Sequence, residues 1–324
     1  MTLSAPRVSV VFAAHNRAER VRTLLESLER QTLAREAFEV IAVDDGSRDA
    51  TPEVLAAAAE SGPLALRVIR HGEPRGPATA RNAGWRAARA ELIAFTDDDC
   101  HLTPGWLAAA LAAWDGMPDR FVQGRTVPDP DEVSSEGPFT RSLRVTALGP
   151  YYQTANIFYP RALLERTCGF DETAFRDATA EDADLAWRCL EAGAEPVFAP
   201  DALAYHAVHQ LGPAGKLRVA WRWHEIVFTY ARHPGLRTSL VYKVFWKKSH
   251  YHLVRAAIGL ALPRHPLLRP LRFWCLQPLA PAYLRRARGE GHGKLWSAPY
   301  FLLHDAVELA AMVRGSVRNR ILML

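Results

Sequence analysis

Three features are scarce in this sequence, and each absence excludes a class of protein. No uninterrupted apolar run approaches the ~20 residues that a membrane-spanning helix needs, and a candidate such as Ala256 to Leu262 is far shorter. The N-terminus lacks the basic stretch and apolar core of a secretory signal, so we expect no signal peptide. The four cysteines are scattered and form no Cys-x-x-Cys pair, which argues against a zinc knuckle or a disulfide framework. A cytoplasmic, reducing compartment is therefore expected.

Acidic residues are scarce in the last third of the chain. Residues 210–324 contain 19 Lys and Arg but 4 Asp and Glu, which gives a net charge of +15. Residues 1–209 contain 21 Lys and Arg and 31 Asp and Glu, a net charge of −10. This asymmetry predicts two regions, 1–209 and 210–324, that face different partners.

The first hundred residues alternate between two kinds of pattern. Apolar, β-rich runs typical of buried strands occupy residues 8–14, 38–43, 65–70 and 92–95. Stretches with helical periodicity or helix-start signals follow these runs. This alternation predicts a parallel, doubly wound sheet flanked by helices. Beyond it the pattern weakens over residues 115–150, and then indicates strands at 151–159 and 196–199 and helices at 161–167 and 182–192.

Clustered carboxylates follow two of these predicted strands. Asp44 and Asp45 end the second run, Asp97-Asp98-Asp99 ends the fourth, and Glu181-Asp182 begins a later helix. The carboxyl ends of parallel strands meet at the sheet edge where open α/β folds bind ligands. Several carboxylates that converge there need a cation or protons to coexist. The pattern indicates a metal-assisted reaction on a phosphate-bearing substrate.

Seven short motifs occur in a fixed order across the first region. They are Val8-Ser9-Val10-Val11 with His15-Asn16-Arg17, Val43-Asp44-Asp45-Gly46-Ser47, Ala80-Arg81-Asn82-Ala83-Gly84, Asp97-Asp98-Asp99, Thr154-Ala155-Asn156, Gly169-Phe170-Asp171-Glu172 and Glu181-Asp182. With these motifs, residues 8–209 resemble the family 2 glycosyltransferases. The resemblance implies the GT-A fold, a Rossmann-like, mostly parallel sheet flanked by helices. It does not cover residues 210–324.

The resemblance implies a nucleotide-sugar site made by Ala13, His15, Asp45, Arg81 and Asp98. Ala13 and His15 lie where the family's base-binding pocket begins, and His15 departs from the aromatic residue often found there. Asp45 would bind the nucleobase, and Asp98 would touch the ribose or the metal shell. Arg81 would pair with a phosphate or with the base-binding carboxylate. The alternatives are a helix cap for Asp45 and an exposed helix arginine for Arg81.

The resemblance also implies a divalent cation, Mn²⁺ or Mg²⁺, that bridges the donor diphosphate and Asp99. Three aspartates in a row leave the register open by one, so Asp97 is a further candidate ligand. His206 is a candidate because a histidine at a comparable place completes the metal site in some GT-A enzymes. The alternatives are a solvated acidic loop for the aspartates and a surface or core position for the histidine.

The family pattern assigns the catalytic base to Asp182. Direct displacement at the anomeric carbon needs a carboxylate that accepts the proton of the acceptor hydroxyl. That single step inverts the anomeric configuration. The alternative is an acidic helix start that the helix dipole stabilises.

Together these features predict an inverting, metal-dependent glycosyltransferase. The donor would be a UDP-, GDP- or dTDP-sugar, and the acceptor a hydroxyl on a glycan or lipid-linked molecule of cell-envelope or other glycan biosynthesis. One alternative is a non-catalytic, GT-A-like nucleotide-sugar-binding or scaffold protein. Another is a nucleotidyltransferase, but that class needs a Gly-rich basic loop where this chain has Ala13-Ala14-His15-Asn16.

Residues 210–324 interleave basic and aromatic residues and contain repeated prolines, which predicts several short helices. This composition suits an anionic membrane surface, with aromatics at headgroup depth and Lys and Arg on the phosphates. It would make the protein peripheral on the inner face of the cell membrane. A helical cap or a homodimer is the alternative. No nucleic-acid-binding motif is present, so no nucleic-acid partner is expected.

Overall fold

The computed structural model describes residues 5–175, 179–290 and 294–324. The chain divides into two compact units. The first comprises residues 1–133 and 142–207, and the second comprises residues 134–141 and 208–324. The short segment 134–141 thus groups with the C-terminal residues, although it lies within the region that the sequence analysis treats as one domain.

The first unit is built around one mixed sheet. Its strands are β1 (Val8–Ala14), β2 (Phe38–Asp44), β3 (Leu66–Arg70), β4 (Leu92–Thr96), β5 (Cys100–Leu102), β6 (Arg120–Pro128), β7 (Asn156–Pro160) and β8 (Glu195–His206). Its helices are α1 (Ala18–Glu29), α2 (Thr51–Ser61), α3 (Pro77–Ala87), α4 (Trp106–Trp114), α5 (Arg161–Thr167) and α6 (Glu181–Glu191). Within the described residues the strand order is β3-β2-β1-β4-β7-β6-β8-β5.

The sheet is parallel over β1 to β4, where the sequence predicts it, and mixed beyond. β7 runs antiparallel to both β4 and β6, β6 and β8 are parallel, and β5 is antiparallel to β8. This arrangement confirms the predicted GT-A fold class of a mostly parallel sheet flanked by helices.

Alternation along each strand buries both faces of the sheet. Val8, Val10 and Phe12 of β1 pack in one core with apolar residues of α1, α2 and α4. Val11 packs in a second core on the opposite face, with residues of α3, α5 and α6. Because both faces are covered, the site is confined to the ends of the strands and the loops that follow them.

The strands beyond β4 differ from the sequence prediction: β5 was not predicted, and β7 begins at Asn156 rather than at residue 151. β6 lies in the stretch 115–150, where the pattern indicates loops, and β8 extends from Glu195 to His206 rather than over 196–199. β6 and β8 pair along most of their length, with an irregularity in register between Gly124 and Arg125. In β6 the run Gln123-Gly124-Arg125 interrupts the apolar residues, and in β8 Pro200-Asp201 does so, which masks the β pattern that apolar runs show elsewhere.

The second unit is helical, as predicted. Its helices are α7 (Gly212–Arg222), α8 (Ile226–Arg232), α9 (Lys248–Ala261), α10 (Arg269–Leu276), α11 (Leu279–Gly289) and α12 (Ala298–Asn319). Two short antiparallel strands, Thr140–Arg141 and His209–Gln210, pair within it. α12 packs against α7, α8, α9 and α11. Among the described residues, no helix has both the length and the apolarity that crossing a membrane requires.

Gly84 allows α3 to pack closely on the sheet. A Cβ at this position would lie 2.3 Å from Val11 Cγ1 and 3.2 Å from Val43 Cγ2, both in the core. We expect Gly84→Ala to lower the free energy of unfolding by about 1–3 kcal/mol through overpacking. Chemical denaturation measures this change.

Gly149→Ala is the matched control, because a Cβ there meets nothing within 4 Å. It should leave stability unchanged or slightly raised, since alanine restricts the unfolded chain. Equal stability of the Gly84→Ala and Gly149→Ala proteins would show that α3 does not depend on this close approach.

Candidate active site

Loops at the carboxyl ends of β1 and β2 are joined by Asn16. Its backbone N–H donates to Ser47 Oγ (2.9 Å), and its side-chain carbonyl accepts from the Arg48 N–H (2.8 Å). Asn16 has a positive φ of 54°, a conformation that asparagine adopts more readily than most residues. The motif His15-Asn16-Arg17 therefore fixes the first loop against the acidic turn after β2.

The carboxylate of Asp45 is buried and organises the loop after β3. Its Oδ1 accepts from His71 Nδ1 (2.7 Å) and from the Arg75 N–H (2.9 Å), and its Oδ2 accepts from the Gly76 N–H (2.9 Å). His15 Nδ1 lies 2.8 Å from the Asp45 carbonyl oxygen, so this nitrogen carries a proton that it donates. The nucleobase-binding role of Asp45 stays a prediction. The Asp45 carboxylate already accepts hydrogen bonds from several protein donors.

Arg81 links the loop after β4 to the start of α6. Its guanidinium donates to Asp97 Oδ1 (2.8 Å) and to Glu181 Oε1 (2.8 Å), and all three groups belong to the first unit. Burial alone would lower the pKa of Arg81, but the two carboxylates outweigh it and raise this pKa above its usual value. A donor-binding role for Arg81 stays a prediction, and the structure adds a positioning role.

Asp98 and Asp99 follow Asp97 at the end of β4. Asp98 Oδ2 accepts from the His15 N–H (3.3 Å), and Asp99 Oδ2 forms an ion pair with Arg17 NH1 (3.4 Å). Burial and the adjacent Asp99 carboxylate raise the pKa of Asp98 to about 8. Without a cation, this pair therefore holds a proton at neutral pH.

His206 at the end of β8 faces Asp99. Its Nδ1 lies 2.9 Å from the Ala207 carbonyl oxygen, which can only accept, so Nδ1 carries the proton. Nε2 is then the nitrogen with the lone pair, and it lies 3.5 Å from Asp99 Oδ1. When two ligand atoms each lie roughly 2.1 Å from one cation, the distance between the two atoms is similar to this separation of Nε2 and Oδ1. Asp99 and His206 thus fit a divalent cation site, whereas Asp97 pairs with Arg81 and its role as a ligand stays a prediction.

The first turn of α6 contains three acidic residues with different partners. Glu181 pairs with Arg81, and Asp184 pairs with Arg188 (2.8 Å), whereas Asp182 accepts from the backbone N–H of Ala183 (2.8 Å). Burial and the neighbouring Glu181 raise the pKa of Asp182 to about 8. A raised pKa makes Asp182 a stronger proton acceptor than an ordinary carboxylate, which suits the predicted base.

A second group of potential ligands lies in the helical unit, where His304, Asp305 and Glu308 are buried together. Arg286 donates to Asp305 (2.6 Å), and Lys247 donates to both carboxylate oxygens of Glu308 (2.8 and 2.7 Å). These cations already neutralise the two carboxylates. The group therefore serves to hold α9, α11 and α12 together.

Other motif residues prove to be structural. Asn82 Nδ2 donates to the Phe170 carbonyl oxygen (2.8 Å), and Trp85 Nε1 donates to Asn82 Oδ1 (2.7 Å). Gly169 has a φ of 66°, and a Cβ there would lie 2.5 Å from Asn82 Oδ1. Asn156 binds the backbone of β6 and β8 and accepts from the Trp106 indole N–H.

Two contacts at the site were not predicted from the sequence. Arg17 pairs with Asp99, and its place in the His15-Asn16-Arg17 motif was the available signal. His71 pairs with Asp45, and nothing in the sequence indicates this pair, because only the fold brings the end of β3 next to β2. Ala13, partly exposed at the end of β1, pairs in register with Val43, directly before the acidic turn, and its role stays a prediction.

Comparison with solved structures identifies the class of fold. The chain is similar to the mannosyltransferase PcManGT from Pyrobaculum calidifontis, solved in complex with GDP-Man and Mn²⁺, with a TM-score of 0.56 and 22% identity over 98% of this chain and 87% of that one. It is also similar to residues 1–349 of S. aureus TarS in complex with UDP-GlcNAc, with a TM-score of 0.53 and 20% identity over 97% of this chain and 92% of that one. At these identities the likeness shows the GT-A fold.

A family model and curated relatives identify the family. The model for glycosyl transferase family 2 matches residues 9–171, half of the chain. Glycosyltransferase AglE of Haloferax volcanii is 27% identical over 65% of this chain and 70% of AglE. Validoxylamine A glucosyltransferase of Streptomyces hygroscopicus subsp. jinggangensis is 29% identical over 64% of this chain and 57% of that protein. The aligned region thus covers between 57% and 70% of these relatives. The chain belongs to glycosyl transferase family 2, which confirms the predicted family and enzyme class.

The ion pairs of Arg81 should matter for stability. Arg81→Met leaves Asp97 and Glu181 without their shared cation, and we expect the free energy of unfolding at pH 7 to fall by about 3–5 kcal/mol. Arg86→Met, on the same helix, removes an exposed pair with Glu172 and should cost less than about 1 kcal/mol. Urea denaturation of both variants measures the difference. A similar small loss in both would show that the Arg81 pairs do not hold the site together.

Proposed function

We propose that the protein transfers a sugar from a nucleoside-diphosphate sugar to a hydroxyl acceptor, in a single displacement that inverts the anomeric carbon and depends on a divalent cation. The observation that carries this proposal is the bridge made by Arg81. It joins Asp97, which precedes the candidate cation site, to Glu181, which precedes the candidate base. The two halves of the proposed chemistry therefore belong to one connected set of residues.

The donor side of the reaction rests on the aspartates after β4. Asp99 and His206 would hold the cation, and Asp98 would bind its shell or the ribose. When bound, a divalent cation offsets the charge that develops on the departing diphosphate. His15, Asp45 and the loop that Asp45 anchors would bind the nucleoside. GDP-Man and UDP-GlcNAc in similar folds support a nucleotide-sugar donor, and UDP-, GDP- and dTDP-sugars are the candidates.

The acceptor side rests on Asp182. Its carboxylate would accept the proton of the acceptor hydroxyl while that oxygen forms a bond to the anomeric carbon. The bond from the anomeric carbon to the diphosphate oxygen breaks on the opposite face, so the configuration inverts. Glu181 and Asp184 are held by arginines and would position the helix rather than accept the proton. A glycan or a lipid-linked acceptor of cell-envelope or other glycan biosynthesis would supply the hydroxyl.

The cation site can be tested by nucleotide binding. We expect UDP, GDP or dTDP to bind more tightly with Mn²⁺ than without it, because the cation offsets the repulsion between the diphosphate and the carboxylates of the site. Asp99→Ala should remove the Mn²⁺-dependent part of this affinity while the fold survives, as isothermal titration calorimetry and circular dichroism would show. Asp201→Ala, an exposed acid on β8, is the control and should behave as the parent does. Unchanged Mn²⁺-dependent binding in Asp99→Ala would contradict the assignment.

The base can be tested by a pH profile. Since the pKa of Asp182 is raised to about 8, this group is protonated at lower pH and cannot accept a proton. The kcat/KM of the parent should therefore rise with pH and level off above about 8, because this constant reports the free enzyme. With Mn²⁺ at a saturating concentration, so that proton loss from the Asp98–Asp99 pair does not limit cation binding, Asp182→Asn should reduce transfer by roughly 10²–10⁴ and flatten this profile, with donor binding within a few-fold of the parent.

Glu191→Gln, in the last turn of the same helix, should keep the rate and profile of the parent. Near-normal turnover in Asp182→Asn would place the base elsewhere. Loss of turnover with an unchanged pH profile would show that Asp182 has a different role.

A further inference from the structure

The second unit exposes several large apolar side chains on one helical hairpin. We define the α9–α10 hairpin as residues 248–276. Its exposed side chains include Leu260 (68% exposed), Leu267 (83%), Phe273 (72%) and Trp274 (50%). Almost every residue between Ala257 and Trp274 is at least partly exposed. Single exposed apolar residues are ordinary, but several on one hairpin indicate an interaction surface.

This exposure does not result from loose packing of the hairpin. Gly259 allows the two helices to approach so closely that a Cβ there would lie 2.6 Å from Cys275 Cβ. Arg272 NH1 donates to the Leu262 carbonyl oxygen (2.8 Å), and the Arg255 guanidinium stacks 3.7 Å from the centre of the Trp274 ring. The inner side of the hairpin is thus closely packed. Its outer side presents apolar side chains on a defined scaffold.

The surroundings of this apolar surface are basic. Residues 226–289 contain 12 Lys and Arg and no Asp or Glu, and two of these cations, Lys247 and Arg286, pair with acids of α12. Arg264 and Arg269 are exposed and stand on either side of Leu267, the most exposed of the apolar residues. The partner must therefore offer apolar contact and negative charge at the same place.

We propose that the α9–α10 hairpin docks on an anionic membrane surface. Leu260, Leu267 and Phe273 enter the boundary between headgroups and acyl chains, and Arg264 and Arg269 bind lipid phosphates. Interfacial helices combine an apolar side with Lys and Arg in this way, and two kinds of attraction together make anchoring stable. This inference goes beyond the proposed glycosyl transfer and does not depend on it.

Two other occupants fit the surface less well. A second copy of the chain would place this basic surface against itself in a two-fold interface, where like charges oppose each other. A nucleic acid would satisfy the arginines and could stack on Phe273 or Trp274, but it offers nothing to the aliphatic Leu260 and Leu267. A lipid surface offers phosphates to the arginines and acyl chains to the aliphatic side chains.

Co-sedimentation of the full-length protein with vesicles tests the apolar part of the proposal. The parent should bind mixed vesicles of phosphatidylglycerol and phosphatidylcholine. It should bind vesicles of pure phosphatidylcholine only weakly. Leu267→Glu with Phe273→Glu should weaken binding to the mixed vesicles by about tenfold or more, because charge is placed at acyl depth. Val317→Glu, at a residue 76% exposed on α12, is the matched control and should bind as the parent does.

Neutralising the arginines tests the electrostatic part. Arg264→Gln with Arg269→Gln should weaken binding by roughly fivefold for each charge removed and reduce its dependence on salt. Arg318→Gln, an exposed arginine on α12, should have no such effect. In Trp274→Phe, a large part of the blue shift in tryptophan fluorescence on vesicle binding should disappear.

Three results would overturn the proposal. One is equal partition into neutral and anionic vesicles, and another is equal vesicle binding by the hairpin and control variants. The third is a dimer in sedimentation velocity that Leu267→Glu dissociates without any change in vesicle binding, which would make the surface a self-interface. Nucleotide binding by each variant, measured without vesicles, shows separately whether the first unit is intact.

Discussion

The buried ion pairs of Arg81 are the interaction on which the candidate site depends. Many carboxylates meet at one edge of the sheet, and a single buried guanidinium pairs with two of them, Asp97 and Glu181. Their sequence neighbours Asp98 and Asp182 have no such cation bonded to them in the described contacts, and burial raises the pKa of each to about 8. The site thus separates acids that position from acids that can exchange a proton or bind a cation. Such a separation is what a reaction with one cation and one base requires.

Packing and hydrogen bonds elsewhere in the first unit position these carboxylates. Gly84 brings α3, and with it Arg81, close against β1 and β2, and Asn82 fixes the segment that leads towards α6 by binding the backbone of Phe170. Asn16 fixes the loops after β1 and β2 to each other by hydrogen bonds. Several motif residues of the family pattern are therefore not reactive groups. They are hydrogen-bonding and close-packing positions, where a larger or less polar side chain would move the reactive groups by more than catalysis tolerates.

The sequence predicted the parallel half of the sheet and the acids at its edge, because apolar runs such as Leu92–Thr96 are local signals that end directly at those acids. It did not predict β6, in which the side-chain N–H of the buried Gln123 donates to the Asn156 carbonyl oxygen, a partner 33 residues away in the chain. Likewise, the partners of Asp45 come from the loop after β3, and the residue that faces Asp99 across the candidate cation site, His206, comes from the end of β8. Local patterns identify elements and reactive residue types, whereas the partners that tune those residues are tertiary.

The two units use charge in opposite ways, and this difference determines how each responds to salt. The carboxylates around Arg81 are buried pairs at hydrogen-bond distance, where mobile ions have little access. The arginines of the hairpin are exposed, and their attraction to a charged surface acts over the Debye length, which shrinks from about 10 Å at 0.1 M salt to about 3 Å at 1 M. Salt therefore weakens docking of the hairpin well before it weakens the Arg81 pairs. In the proposed docking, the protein would leave an anionic surface while its candidate catalytic residues stay in register, because surface attachment and the geometry of the site would be set by separate groups of charges.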